Sequence, residues 1–191
     1  MLQRLLNTYF LPVIVLFSLS FSALAGNTDA HREHSAHEHG HATLNFVQEN
    51  KTVQFIFESP AVNIVGFEHE PENEEDHRKV ADAISLLKQG EKLFIFTAEA
   101  QCTQTSVEIE TALVEEDEDK DEHHEDHQEQ EGHSEFAVTY EFRCEASDVL
   151  NSLTVMLFEY FPQIEEVDSQ LVIDSRQFSA ELSPENPSIK L

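Results

Sequence analysis

Phe136, Val138, Tyr140, Phe142 and Cys144 occupy every second position of one run, interleaved with Glu135, Thr139, Glu141 and Arg143. Side chains alternate between the two faces of a strand, so this run demands a sheet with one dry face and one wet one. The same alternation recurs at Leu44 and Phe46 and, after the polar turn QENKT, at Val53, Phe55 and Phe57. Those two runs read as a hairpin with one buried face. Val107, Ile109 and Leu113 mark a further strand, and SQLVID with QFSAEL reads as a last hairpin before the extended tail SPENPSIKL.

Helical signals are fewer. Asn73 is a good N-cap, Asp76 follows three positions on, Val80, Ile84 and Leu87 share one helical face, and Gly90 supplies a stop. The spacing predicts a helix over Glu74 to Gln89. KLFIF, Lys92 to Phe96, is an unbroken apolar run that reads as a buried central strand. SPAVNIVGFEHEP reads as an irregular or short helical connection, and LNSLTVMLFEYFP fits helix and strand equally. The expected fold is α+β: a single domain, mainly antiparallel β-sheet, with one or two helices and a long disordered His/acidic loop.

Residues 1–25 have the form of a secretory signal peptide. Arg4 precedes the apolar FLPVIVLFSLSF, and Ala23-Leu24-Ala25 supplies a cleavage site, with cleavage expected after Ala25. The chain is therefore expected to be exported, with no stable membrane insertion once that segment is removed. The expected organisation continues with a His-rich tract at 26–41 and a metal-binding domain at 42–191 that carries its His/acidic loop at 115–135. The formal charge is −27. So acidic a surface repels nucleic acid and anionic lipid and attracts cations.

Cys102 and Cys144 are the two cysteines, and in an oxidising compartment they read as a disulfide. Matching the apolar faces of the two strands that hold them opposes Val107 to Tyr140 and Ile109 to Val138. That register sets Thr103, not Cys102, across from Cys144. A bulge or a strand end near Cys102 is required to bring the sulfurs together.

Eleven histidines lie in the chain. Five open the exported part (His31, His34, His37, His39, His41), His69 and His77 follow, and His123, His124, His127 and His133 fall within the acidic stretch. Imidazole mixed with carboxylate suits zinc, copper or nickel, whereas calcium and magnesium prefer all-oxygen shells. In an extended chain His37, His39 and His41 project from one face, opposite Leu44 and Phe46 if the first strand reaches back that far. His124 and His127 fit one helical turn. The segment Glu115 to Glu135 holds 12 acidic residues against one Lys, a composition that favours disorder without metal.

His37-Glu38-His39-Gly40-His41 matches the H-E-x-x-H protease pattern, but no apolar helical periodicity surrounds it and Gly40 lies inside it. No Gly-rich phosphate loop or nucleophile constellation appears elsewhere. An enzyme is not expected. A catalytic alternative would need a three-ligand site, such as His37, His41 and His69, with an open position for water. The expected role is metal capture, with divalent transition-metal ions as partners. The competing role is a metal buffer or resistance protein that sequesters zinc, copper or nickel without a transporter. Met1 and Met156 are the only methionines, which argues against a dedicated Cu(I) carrier.

HEHGHATLNF, FESPAVNIVGFEHEP, YEFRCEASDVL, LFEYFPQIEEVDSQLV and AELSPENPSIKL, taken in that order behind a signal peptide, resemble the zinc-regulated periplasmic proteins of Gram-negative bacteria typified by ZrgA. The resemblance covers nearly all of the exported chain. It implies an α+β fold around antiparallel sheet, zinc binding in the periplasm, and support of an ABC-type importer when zinc is scarce. By position it implies roles for His37, His39 and His41, and for His69 in GFEH. On sequence alone His69 reads as an exposed loop residue, and His77, near the helix start, reads equally as a metal ligand and as a residue that caps or packs.

Overall fold

The computed structural model describes residues 38–114 and 134–191. The candidate ligands His31, His34, His37, His123, His124, His127 and His133 lie outside those residues, as do the expected signal peptide and most of the acidic loop.

Six strands form the larger sheet: β1 (His41–Glu49), β2 (Thr52–Pro60), β4 (Cys102–Thr111), β5 (Glu135–Cys144), β7 (Glu166–Ile173) and β8 (Arg176–Leu182). Their order is β4-β5-β2-β1-β7-β8. A second sheet has the order β3-β6-β9, from Phe94–Phe96, Ser152–Val155 and Ser188–Lys190. Both expected hairpins form. Asn50 and Asp174 sit at the β1–β2 and β7–β8 turns with φ of 56° and 53°, left-handed values that Asn and Asp tolerate better than most residues.

One pairing departs from the antiparallel rule. β1 runs parallel to β7, with His41 opposite Glu166 and Phe46 opposite Leu171. Parallel neighbours need a long crossover, and here nearly the whole domain intervenes.

Leu44, Phe46, Val53, Phe55, Phe57, Val138, Tyr140 and Phe142 point from the larger sheet to one buried face. Phe55 is its centre: its ring lies 4.6 Å from Phe94, 5.1 Å from Tyr140 and 5.7 Å from Phe142. Phe94 joins the second sheet to the first through these edge and stacked contacts. Tyr140 donates a 2.7 Å hydrogen bond to the Leu87 carbonyl, and burial pushes its phenol well above its ordinary pKa.

Four short helices complete the described residues: α1 (Ala61–Val65), α2 (Glu74–Leu87), α3 (Gly90–Leu93) and α4 (Leu157–Tyr160). Asn73 caps α2 as expected, its side chain accepting from the Glu75 and Asp76 amides at 2.9 and 3.1 Å. The helix ends at Leu87 rather than Gln89. Gly90 does not stop it but opens α3, after Gln89 breaks the helical geometry with ψ of 60°. KLFIF is therefore not a central strand. Lys92 and Leu93 close α3, and only Phe94–Phe96 extends, as the edge of the smaller sheet with Ile95 facing outward. An unbroken apolar run carries no periodicity by which to separate these cases. The ambiguous LNSLTVMLFEYFP is both things: β6 and then α4. Leu113, expected in a strand, is buried in the turn beyond β4.

The disulfide is present between Cys102 and Cys144. Val107 pairs with Tyr140 and Ile109 with Val138 as the apolar faces require, and the register then slips between Gln104 and Ser106. The extra residue is Thr105, whose hydroxyl donates to the Glu141 carbonyl at 3.1 Å. This bulge restores Cys102 to its place opposite Cys144.

Candidate metal centre

β1 begins at His41, and alternation places His41, Thr43 and Asn45 on the open face while Ala42, Leu44 and Phe46 enter the core. The strand does not extend back through His39. Gly40 has φ of +88°, a conformation that suits glycine, and it turns the chain out of line at that point. His39 and His41 thus leave the backbone on either side of a turn rather than from one flat ribbon.

The parallel neighbour β7 presents Glu166 and Asp168 on the same open face. His41 Nδ1 lies 3.5 Å from Glu166 Oε1. Ligand atoms of His41, Glu166 and Asp168 all fall within 4.8 Å of one another. Neighbouring ligands of a tetrahedral zinc ion are about 3.3 Å apart when the metal bonds are about 2.0–2.1 Å, so the His41–Glu166 spacing needs little change to admit one. His41 Nε2 faces Glu38 Oε1 at 3.7 Å. That is longer than a hydrogen bond, but it points the second ring nitrogen at a carboxylate, as metal-bound histidines commonly do.

Among the described residues neither Glu166 nor Asp168 is paired with a Lys or Arg. Glu58 and Glu181 add further carboxylates on the same face, around a depression of about 610 Å³. The field there is negative and the charges are wet, a setting for a cation that must also leave.

Gly66 ends α1 in the left-handed conformation, with φ of 88°, and leads the chain into Phe67, Glu68 and His69. Glu68 Oε1 lies 3.4 Å from His39 Nε2. His69 stacks on Phe67 with ring centroids 4.8 Å apart, and its Nδ1 lies 2.8 Å from the Glu70 carbonyl. A carbonyl oxygen can only accept, so this contact takes the Nδ1 proton and leaves Nε2 as the ring nitrogen that a metal would use. HEHGH and GFEH, distant in sequence, thus meet through His39 and Glu68. His77 is exposed on α2, where it lines a groove with Glu70, Val80, Ile84 and Leu113.

The roots of the acidic insertion lie at this same end of the sheet. The Ser134 carbonyl accepts from the Ala61 amide at 2.8 Å, and Thr111 pairs with Phe136, next to Glu135 opposite Pro60. Cys102–Cys144 closes the other end, near the β1–β2 turn, where the Cys144 amide donates to the Lys51 carbonyl.

A family described as ZrgA family zinc uptake protein matches residues 36–191. The chain belongs to the ZrgA family. No curated protein matches it. The ZrgA match spans both halves of the candidate centre, His41 from the beginning of the fold and Glu166 with Asp168 from near its end. Reading the sequence singled out His41 but neither carboxylate of β7. Dense histidine is conspicuous, whereas Glu166 and Asp168 resemble any other acids in a chain with 38 of them. Their signal was alternation, since Glu166 and Asp168 flank the buried Val167 and so must face the open side.

Proposed function

We propose that this protein is a carrier that captures zinc in the periplasm and supports its uptake by an ABC-type importer. The supporting observation is the grouping of His41, Glu166 and Asp168 within ligand distance on an anionic sheet face, inside the span matched by a zinc uptake family. One imidazole and two carboxylates give a neutralising but incomplete shell, leaving a position for water or a further imidazole. His39 and His69 stand in the adjoining segments as candidates, and the histidines of the two His-rich tracts of the sequence are further imidazoles for zinc. The disulfide suits an oxidising compartment.

Zinc titration of the purified protein against a competing chelator should reveal at least one site weakened by His41→Ala. In cells, deletion of the gene should slow growth and lower zinc content under chelation. Sensitivity to excess metal with unchanged growth under chelation would instead establish a buffer. Unchanged zinc affinity in the variant would remove His41 from the site.

A further inference from the structure

We propose that Asn63 is the positioning residue of the metal centre, an internal amide that holds the backbones of His41 and Glu166 at ligand spacing. The proposal rests on the reading of His41, Glu166 and Asp168 as a zinc site.

Asn63 is 3% exposed, in the middle of the five-residue α1. A buried amide is costly unless its polar atoms find partners, and an aliphatic side chain of similar size would fill the space without that cost. What Asn63 holds therefore accounts for its presence. Its Oδ1 accepts from the Gly40 amide at 2.8 Å. Its Nδ2 donates to the His41 carbonyl at 2.9 Å and to the Ser59 hydroxyl at 3.2 Å.

These bonds fall where the sheet leaves a gap. The β1–β2 ladder begins only at Thr43 opposite Glu58, because the chain beyond Pro60 turns into α1. His41 thus has β7 on one side and no strand partner on the other. The Asn63 side chain carries one donor group and one acceptor, like a peptide unit, and occupies that missing neighbour's place.

The connection continues to the second ligand. Gly40, held by Asn63 through its amide, accepts through its carbonyl from the amides of Glu165 and Glu166 at 2.7 and 3.0 Å. The His41 amide in turn donates to the Glu38 carbonyl at 3.1 Å. All four backbone polar groups of Gly40 and His41 are thereby fixed, and Asn63 supplies two of the partners. The positive φ of Gly40 makes this arrangement possible, and a Cβ there would press on the Glu165 side chain at 3.4 Å.

The test is a double-variant cycle on the intact protein with Asn63→Ala, His41→Ala and both together. Zinc affinity at the tightest site is read by chelator competition, the ligand field by the visible absorption of bound Co²⁺, and folding by thermal unfolding. Asn63→Ala should weaken that site about tenfold to a hundredfold, as loss of an outer partner does, and should shift the Co²⁺ bands. In the His41→Ala background it should add nothing. Should Asn63→Ala fail to fold, Asn63→Asp serves the same cycle, since it keeps an acceptor for Gly40 and loses the donor to His41. If His41→Ala weakens the site while the Asn63 variant leaves affinity within twofold, or adds its full loss to that of His41→Ala, the role of Asn63 is overturned and the zinc site stands. If His41→Ala itself has no effect, the site reading fails and the role of Asn63 with it.

Discussion

His41 stands opposite Glu166 in the parallel ladder of β1 and β7, with 3.5 Å between Nδ1 and Oε1. A ladder neighbour on the same face has little freedom to move away, so the two side chains offer a cation a spacing fixed by the sheet. Glu166→Gln keeps the shape and removes the charge. Zinc affinity should fall at least about tenfold, the lower bound for losing even an outer partner. Glu58→Gln, on the same face but outside the three-residue group, should change it less than twofold. Equal losses in both variants would mean that the general field, not coordination, holds the ion.

Proton competition gives a second test. A histidine binds metal through a neutral nitrogen, and ordinary imidazole side chains titrate near about 6.5. Zinc affinity should decline steadily from pH 7.5 to 5, and binding near pH 6 should release protons, measurable by titration calorimetry in buffers of different ionisation enthalpy. Affinity that stays level over this range would assign the binding to carboxylates alone.

The disulfide can be tested without touching the metal centre. Cys102 and Cys144 are 42 residues apart in sequence, for which loop-closure entropy suggests a stabilisation of about 4 kcal/mol. Cys102→Ser with Cys144→Ser should lower the unfolding free energy by that order in urea titration. Zinc affinity should be unchanged, because the bridge lies beyond the opposite end of β1 from His41, roughly 25 Å away at about 3.4 Å per strand residue.

Gly90 sets the approach of α3 to the sheet. A Cβ at this position would lie 2.8 Å from the buried Tyr140 ring, which is itself held by its bond to Leu87. Gly90→Ala should cost about 1–3 kcal/mol, the usual range for overpacking, and lower the melting temperature. A variant as stable as the parent would show that Tyr140 has room to shift.

The sheet was largely legible because alternation is a local signal. Each hairpin carries its own turn, and Phe136 through Cys144 announce a buried face residue by residue. Even the mismatch at Cys102 was informative, since the apolar faces and the sulfurs cannot both be satisfied without an extra residue, and Thr105 is that residue. What stayed hidden was non-local. Nothing near His41 says that its neighbour will be Glu166, because that pairing joins opposite ends of the fold. KLFIF failed for the opposite reason, as its uniform hydrophobicity fits a helix end and an edge strand as well as a central one. Asn63 gave no sign of its role, for its partners are backbone groups of a turn that the sequence does not reveal.

The union of β1 with β7 has a consequence for biogenesis. The first candidate ligand is synthesised about 125 residues ahead of the second, and until the late segment arrives no amount of early folding can join them. A polypeptide truncated before β7 therefore lacks the candidate site entirely. Zinc held between His41 and Glu166 would certify a chain completed at least through β7.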